Sequence, residues 1–233
     1  MIKQAIILAG GLGTRLRSAV PDLPKCMAPV AGKPFLEHVI DYFLAQGINE
    51  VILAVGYKSE IIINFVKDRY PELTVEFSIE KELLGTGGAI RQAAEMATHK
   101  NILVLNGDTI FKVDVKSLAE FHEVASADCT IVLKPMTNFE RYGVVEISDD
   151  QRISSFREKK FYNKGYISGG IYALNVESFM KEALPEKFSF EKDYLEALYQ
   201  HRNMFGIVQD NYFIDIGIPA DYEQAQSDFA QTD

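Results

Sequence analysis

Ala5-Ile6-Ile7-Leu8-Ala9-Gly10-Gly11-Leu12-Gly13-Thr14-Arg15-Leu16-Arg17 runs from an apolar segment into a glycine-rich turn that carries two arginines. Gly10, Gly11 and Gly13 admit backbone angles closed to other residues and let main-chain N–H groups approach an anion, while Arg15 can fork onto phosphate oxygens. The pattern reads as a polyphosphate cradle at a strand-to-helix turn, with a purely structural turn as the competing reading. It lacks the Lys-Ser/Thr ending of a P-loop, and its G-G-x-G spacing is not the dinucleotide fingerprint G-x-G-x-x-G.

Outward from this turn, short apolar runs alternate with amphipathic stretches. Ala5-Ile6-Ile7-Leu8, Val51 to Val55, Val75 to Ile79 and Ile102 to Leu105 read as strands. Phe35, Leu36, Val39, Ile40, Phe43 and Leu44 share one helical face, with Gly47 as the cap, and Ile61 to Tyr70 and Ala89 to Ala97 are the next helices. Alternation of this kind predicts an α/β fold, a Rossmann-like open and mostly parallel sheet with helices on both faces. Ligands of such sheets bind at the carboxyl ends of the strands, which places the glycine turn at that rim. After Asp128 the pattern changes to hairpin-like strands, Thr130 to Lys134, Tyr142 to Ile147 and Ile167 to Leu174, before helices return near Val176 and Phe190. This predicts a mixed β extension. No linker, repeat or low-complexity segment divides the chain, so one domain over residues 1–233 is expected.

With 233 residues and 47% hydrophobic content the chain can bury a sizeable core. A net charge of −9 argues against a nucleic-acid partner and requires that any polyanion be met by locally concentrated cations. No apolar run approaches a membrane span of about 20 residues, and the N-terminus lacks a signal peptide's features; no membrane partner and a cytoplasmic location are expected. Cys26 and Cys129 form no metal pattern and read as reduced thiols. The residues leave a homo-oligomer open.

Three further segments carry chemistry. Lys25 stands in Pro24-Lys25-Cys26-Met27-Ala28-Pro29, between prolines that restrict the backbone. A second glycine-rich turn, Leu84-Gly85-Thr86-Gly87-Gly88, opens a helix, and Asn106-Gly107-Asp108 ends an apolar run. In this order the segments G-G-x-G-T-R-L, P-K, L-G-T-x-G and G-D resemble the sugar-1-phosphate nucleotidyltransferases. The resemblance covers nearly the whole chain, because Glu158-Lys159, Ser168-Gly169-Gly170 and Phe213-Ile214-Asp215-Ile216-Gly217 also fall where that family has functional segments.

The resemblance implies attack of a sugar 1-phosphate oxygen on the α-phosphorus of a nucleoside triphosphate, with pyrophosphate leaving. Residues up to about 127 would form the nucleotide-binding half and 128–233 the sugar-binding half. Such a reaction needs two anions held in line and the departing charge stabilised. Arg15 is assigned to the β- and γ-phosphates and Lys25 to the α-phosphate, and both are the candidate catalytic residues. Leu8, Ala9, Gly10, Gly11, Gly13, Thr14, Gly85, Thr86, Gly88 and Asn106 are the candidate nucleotide-binding residues. Magnesium takes one or two carboxylates plus phosphate oxygens and water, and Asp108 and Asp215 fit that role. The competing roles are a turn-forming Asp108 and a helix-capping or salt-bridged Asp215. Asp114, Asp149 and Asp150 read as surface charge.

Glu80, just before the second glycine turn, can accept from the N1–H and exocyclic amine of guanine, a donor pair no other common base presents. That favours GTP; an ion pair with a nearby Lys or Arg is the plainer role. Tyr142, Gly143, Glu158, Lys159 and Gly169 match family positions around the sugar phosphate, Lys159 as its cation. The narrowest expectation is transfer from GTP to a manno-configured heptose 1-phosphate for a surface polysaccharide such as a capsule or S-layer glycan. GTP with mannose 1-phosphate, or UTP with another sugar phosphate, is the alternative, and a catalytically silent sugar-nucleotide-binding regulator is the reading from a different class. A glycosyltransferase is disfavoured because no Asp-x-Asp motif follows a strand here. Two departures bear on the substrate. Ser18-Ala19-Val20-Pro21-Asp22 replaces the usual Pro-Leu-Thr continuation, and Ser168 stands where many relatives carry Asn.

Overall fold

The computed structural model describes residues 1–11, 13, 16 and 20–230. In chain order the elements are β1 (Gln4–Leu8), a small hairpin of β2 (Pro29–Val30) and β3 (Lys33–Pro34), α1 (Phe35–Ala45), β4 (Glu50–Val55), α2 (Ser59–Arg69), β5 (Thr74–Ile79), α3 (Gly85–Ala94), β6 (Asn101–Asn106), β7 (Thr109–Phe111) and α4 (Val115–Val124). The remainder comprises β8 (Cys129–Phe139), β9 (Val144–Ile147), β10 (Ile153–Arg157), β11 (Tyr162–Asn175), α5 (Val176–Met180), β12 (Met204–Val208), β13 (Phe213–Asp215) and α6 (Pro219–Ala230).

Seven strands form one sheet in the order β12-β8-β11-β6-β1-β4-β5. β6, β1, β4 and β5 are mutually parallel, β12 joins β8 in parallel, and only β11 runs antiparallel to its two neighbours. The expected mostly parallel sheet is therefore present. Side-chain alternation explains why it is covered on both faces. Ala5, Ile7, Val51, Leu53, Val55, Leu103 and Leu105 pack with Phe35, Val39, Ile62, Val66, Leu118 and Ala225 of α1, α2, α4 and α6. Their neighbours Ile6, Ile52, Ala54, Ile102 and Val104 face the other way, against Ile90 and Ala93 of α3 and the aromatics Phe179, Phe188, Phe190 and Tyr194. Each fully buried aliphatic or aromatic side chain of this kind contributes about 1.5–3 kcal/mol.

Element boundaries differ where hydrogen bonding outruns the apolar pattern. β8 and β11 extend beyond the predicted 130–134 and 167–174 and pair as far as Tyr162 opposite Phe139. This arm is largely solvent-facing, so no apolar run marks it. Its register breaks between Ser168 and Tyr172, where Gly170 has φ +71°, a bulge that glycine tolerates without strain. The predicted strand Tyr142–Ile147 begins only at Val144. α3 starts at Gly85 rather than Ala89, so the second glycine turn is the helix's own first turn. Gly47 has φ +87° just beyond α1, as its capping role requires.

Candidate active site

The carboxyl ends of β1, β5 and β6 open onto a cavity of about 620 Å³ lined by Leu8, Glu80 and Asn106, the residues at or just beyond those ends. Its wall at the first glycine turn is Ala9, Gly10, Gly11 and Gly13. Two of these glycines are required by contacts in the structure. A Cβ on Gly10 would lie 2.6 Å from Glu80 Oε1 and 3.2 Å from Gly56 N, and one on Gly13 would lie 2.8 Å from Lys25 Cβ. Gly13 also has φ +57°. Arg15 and Thr14 lie outside the described residues.

Lys25 occupies a short 3-10 turn, Lys25–Met27, entered through Pro24 at φ −54°. Its Nζ donates to Asp108 Oδ2 and, at 3.3 Å, to Asp215 Oδ1. The two carboxylates meet because Asp215 pairs opposite Thr109 in the antiparallel ribbon of β7 and β13, and because Ile216 N–H donates to Asp108 C=O at 3.1 Å. Asp215 also accepts from Gly217 N–H at 2.7 Å. The salt-bridged role entertained for Asp215 is thus real, and its partner is the same lysine assigned to phosphate. Asp114, read as surface charge, caps α4 by accepting from Ser117 N–H at 3.1 Å.

Among the described residues no cluster of three or more His, Cys, Asp or Glu side chains forms a metal site. Asp108 and Asp215 nevertheless suit a hard divalent ion. They supply two convergent carboxylates whose charge the single cation Lys25 only half offsets, and magnesium draws its other ligands from phosphate and water. Cys26 lines the same floor, but burial, helped by Asp108, pushes its thiol up to about 12, so it is a packing group.

Glu80 lies between the two glycine turns. Its Oε2 accepts from Leu84 N–H at 3.0 Å, tying it to the start of α3. Burial holds its carboxyl above the usual range, and the Leu84 bond pulls the other way. It forms no ion pair among the described residues, and Oε1 lies close against Gly10.

The second glycine turn was expected to face the nucleobase, and only part of it borders the cavity. Gly85 and Thr86 line the cavity, whereas Gly88 does not. A Cβ on Gly88 would meet Glu186 C=O at 2.5 Å, and one on Gly87 would meet the Phe188 ring at 2.1 Å. These glycines admit the chain's own 186–188 segment. That segment is hydrogen-bonded in place by Gly87 N–H to Phe188 C=O at 3.0 Å and Phe188 N–H to Leu84 C=O at 3.0 Å. Thr86 Oγ1 completes the contact, accepting from Phe190 N–H and donating to Glu191, both at 2.9 Å. Lys187 and Glu191 consequently join the cavity lining, together with Leu83, Ala89 and Gly217. Sequence reasoning missed Lys187 and Glu191, since nothing in Glu186-Lys187-Phe188-Ser189-Phe190-Glu191 distinguishes them from a solvated stretch.

The proposed sugar residues are dispersed. Tyr142 packs its ring 6.2 Å from Phe213, bonds to Arg141, and is raised by burial and then by the Asp215 charge, so it stands beside the Lys25 cluster. Gly143 admits Arg157 C=O, which would lie 2.6 Å from a Cβ, and Gly169 admits the Phe111 ring. Glu158 and Lys159 lie on an exposed bend between β10 and β11, outside the cavity lining.

Residues 4–232 match the nucleotidyl transferase family. The chain belongs to that family. It is 49% identical over 225 residues to a D-glycero-alpha-D-manno-heptose 1-phosphate guanylyltransferase from Aneurinibacillus thermoaerophilus, with 97% of each chain covered. A protein of the same description from Campylobacter jejuni is 47% identical, covering 94% of this chain and 96% of that one. The solved structure of HddC from Yersinia pseudotuberculosis complexed with GMP-PN matches with a TM-score of 0.87 at 38% identity, covering 98% of this chain and 100% of that one. The resemblance read from the glycine turns, Lys25 and Asp108 is therefore correct.

Proposed function

We propose that this nucleotidyl transferase moves the GMP unit of GTP onto D-glycero-α-D-manno-heptose 1-phosphate, releasing pyrophosphate and forming the GDP-sugar for a surface polysaccharide. The observation that carries the chemistry is Lys25 held between Asp108 and Asp215 on the floor of a cavity walled by two glycine turns. The choice of substrates rests on the 49% and 47% identical relatives of that description. Both cysteines are free and buried, in keeping with work in the reducing cytoplasm.

In this reading the N–H groups around Gly10 and Gly11 and the Arg15 guanidinium receive the β- and γ-phosphates. Lys25 meets the α-phosphate as its charge rises, a contact stronger in the transition state than in the ground state. Asp108 and Asp215 would hold Mg²⁺. When bound, that ion offsets the repulsion between the sugar phosphate and the triphosphate. Tyr142 borders the sugar side, and Lys159 would reach the sugar phosphate from its exposed bend. The nucleotide half, 1–127, is completed by Lys187 and Glu191 from the sugar half, 128–233, within one domain.

Pyrophosphate release with each of GTP, ATP, CTP, UTP and dTTP against heptose 1-phosphate, mannose 1-phosphate and N-acetylglucosamine 1-phosphate tests the reading. Turnover confined to GTP with the heptose is expected. Faster turnover with mannose 1-phosphate would favour the substrate of more distant relatives, such as the mannose-1-phosphate guanyltransferase of Schizosaccharomyces pombe at 34% identity.

A further inference from the structure

We propose that Lys187 is a base-reading residue that donates to guanine O6 and N7 and, opposite Glu80, makes the site reject adenine. The inference rests on the guanylyltransferase reading above and adds a residue to it. The cavity lining joins Gly11, Gly13, Lys25 and Asp108 to Leu83, Gly85 and Thr86, with Glu80 set between the two glycine turns, against Gly10 and bonded to Leu84 N–H. Lys187 belongs with the Leu83–Thr86 side because the residues that follow it are hydrogen-bonded there. Phe188 pairs with Leu84 and Gly87, and Phe190 N–H donates to Thr86.

Three features of this lining suit a purine. Leu83 is 48% exposed at the cavity wall, an apolar side chain in a position to cover a base face. Glu80 offers an acceptor at one side and forms no ion pair among the described residues. Lys187 offers three donors, and its ammonium makes no hydrogen bond or ion pair to any described residue, although Glu191 lies in the same lining. Guanine presents N1–H and N2–H donors on one edge and the O6 and N7 acceptors on the next. A carboxylate and an ammonium in one cavity lining match that order. Adenine keeps N7 but puts an N6 amino donor where guanine has O6, facing the ammonium with another donor, and it has no N1–H for Glu80.

The experiment separates the two halves of this recognition with base analogues. Steady-state kcat/KM is measured for GTP, ITP, ATP and 2,6-diaminopurine riboside triphosphate, at one fixed sugar 1-phosphate, in the parent, Lys187→Met and Lys187→Arg. ITP keeps O6 and lacks the 2-amino group; the diaminopurine nucleotide keeps the 2-amino group and replaces O6 with an amino group. The expected result is that Lys187→Met lowers GTP and ITP together by about five- to a hundredfold, leaves the diaminopurine nucleotide unchanged or improved, and that Lys187→Arg retains the parent's order. Lys187 is exposed, so the fold survives the change. A uniform loss across all four nucleotides would overturn the proposal and make Lys187 a phosphate or ribose contact, as would an unchanged ratio of GTP to diaminopurine nucleotide. Failure of the underlying reading would show in the parent itself, as equal use of ATP and GTP, and would remove this role with it.

Discussion

Gly87→Ala perturbs the contact that seats the 186–188 segment against α3, beside the cavity. Gly87 lies in the first turn of α3 with φ in the ordinary region, so alanine there gains about 0.5–1 kcal/mol of helix propensity in isolation. Its Cβ, however, would lie 2.1, 2.3 and 2.8 Å from three atoms of the Phe188 ring. Restoring a separation of about 3.5 Å requires the ring to retreat by roughly 1.4 Å. There is little room for it. Phe188 is 4% exposed, its ring lies 6.3 Å from that of Phe179, and the Arg91 guanidinium covers it at 4.8 Å. Overpacking of a filled site costs about 1–3 kcal/mol, which outweighs the propensity gain and leaves a net destabilisation of about 1–2 kcal/mol.

A double-mutant cycle with Phe188→Ala checks the cause. Removing the ring costs about 3–5 kcal/mol by itself, but in that background Gly87→Ala should reverse sign and stabilise by up to about 1 kcal/mol. Urea denaturation of the four proteins at one temperature gives the comparison. Because the displaced segment carries Lys187 and Glu191, Gly87→Ala alone should also raise KM for the triphosphate more than it lowers kcat. Equal destabilisation by Gly87→Ala in both backgrounds would refute the packing argument.

Lys25→Ala should lower kcat far more than it raises KM for either substrate, measured by pyrophosphate release; a change confined to KM would make Lys25 an ordinary binding group. Asp108→Asn or Asp215→Asn should abolish turnover while near-UV circular dichroism is unchanged, and full activity in either variant would remove that residue from the metal role. Glu80→Gln keeps an acceptor for Leu84 N–H but turns donors toward guanine, so kcat/KM for GTP should fall, each lost charge-assisted bond being worth about 1.5–3 kcal/mol, while ATP use hardly changes. His122 is 1% exposed with Nδ1 on Thr130 Oγ1, and burial, opposed by Asp128, pushes it down to about 4. Its folded pKa lies below the unfolded value of about 6.5, so the unfolded chain binds the proton first as pH falls, and stability drops by about 3 kcal/mol between pH 6.5 and 4. His122→Gln should flatten that part of a denaturation profile, and an unchanged slope would show that other groups set it.

The strands were legible as short continuous apolar runs, because strands covered on both faces bury successive side chains on opposite sides, as Ala5, Ile6 and Ile7 do. The helix ending before Gly47 was legible for a similarly local reason. The floor of the site was legible residue by residue but not as a unit. Lys25 is separated from Asp108 by 83 positions and from Asp215 by 190, and only the β7–β13 ribbon brings the carboxylates to one cation. The direct Lys25 contacts also couple two roles that were read separately, phosphate binding and metal binding. A cation must replace the ammonium's charge before the lysine can turn to phosphate without leaving two carboxylates unpaired.

The second glycine turn shows why the remaining wall was hidden. A glycine that admits close approach says nothing in the sequence about what approaches, and a nucleobase and a Phe188 ring impose the same demand for a missing Cβ. Gly10 and Gly87 illustrate the two outcomes. Beside Gly10 the near atom is Glu80 Oε1 at the edge of an open cavity, whereas beside Gly87 the space is filled by a ring from a position 101 residues later in the chain. The segment that carries the ring is held by the same turn: Phe188 bonds to Leu84 and Gly87, Phe190 N–H donates to Thr86 Oγ1, and Thr86 Oγ1 donates to Glu191. The half of the chain assigned to the sugar therefore supplies Lys187 and Glu191 to the wall of this cavity, and substitutions in it should be scored against the triphosphate as well as against the sugar.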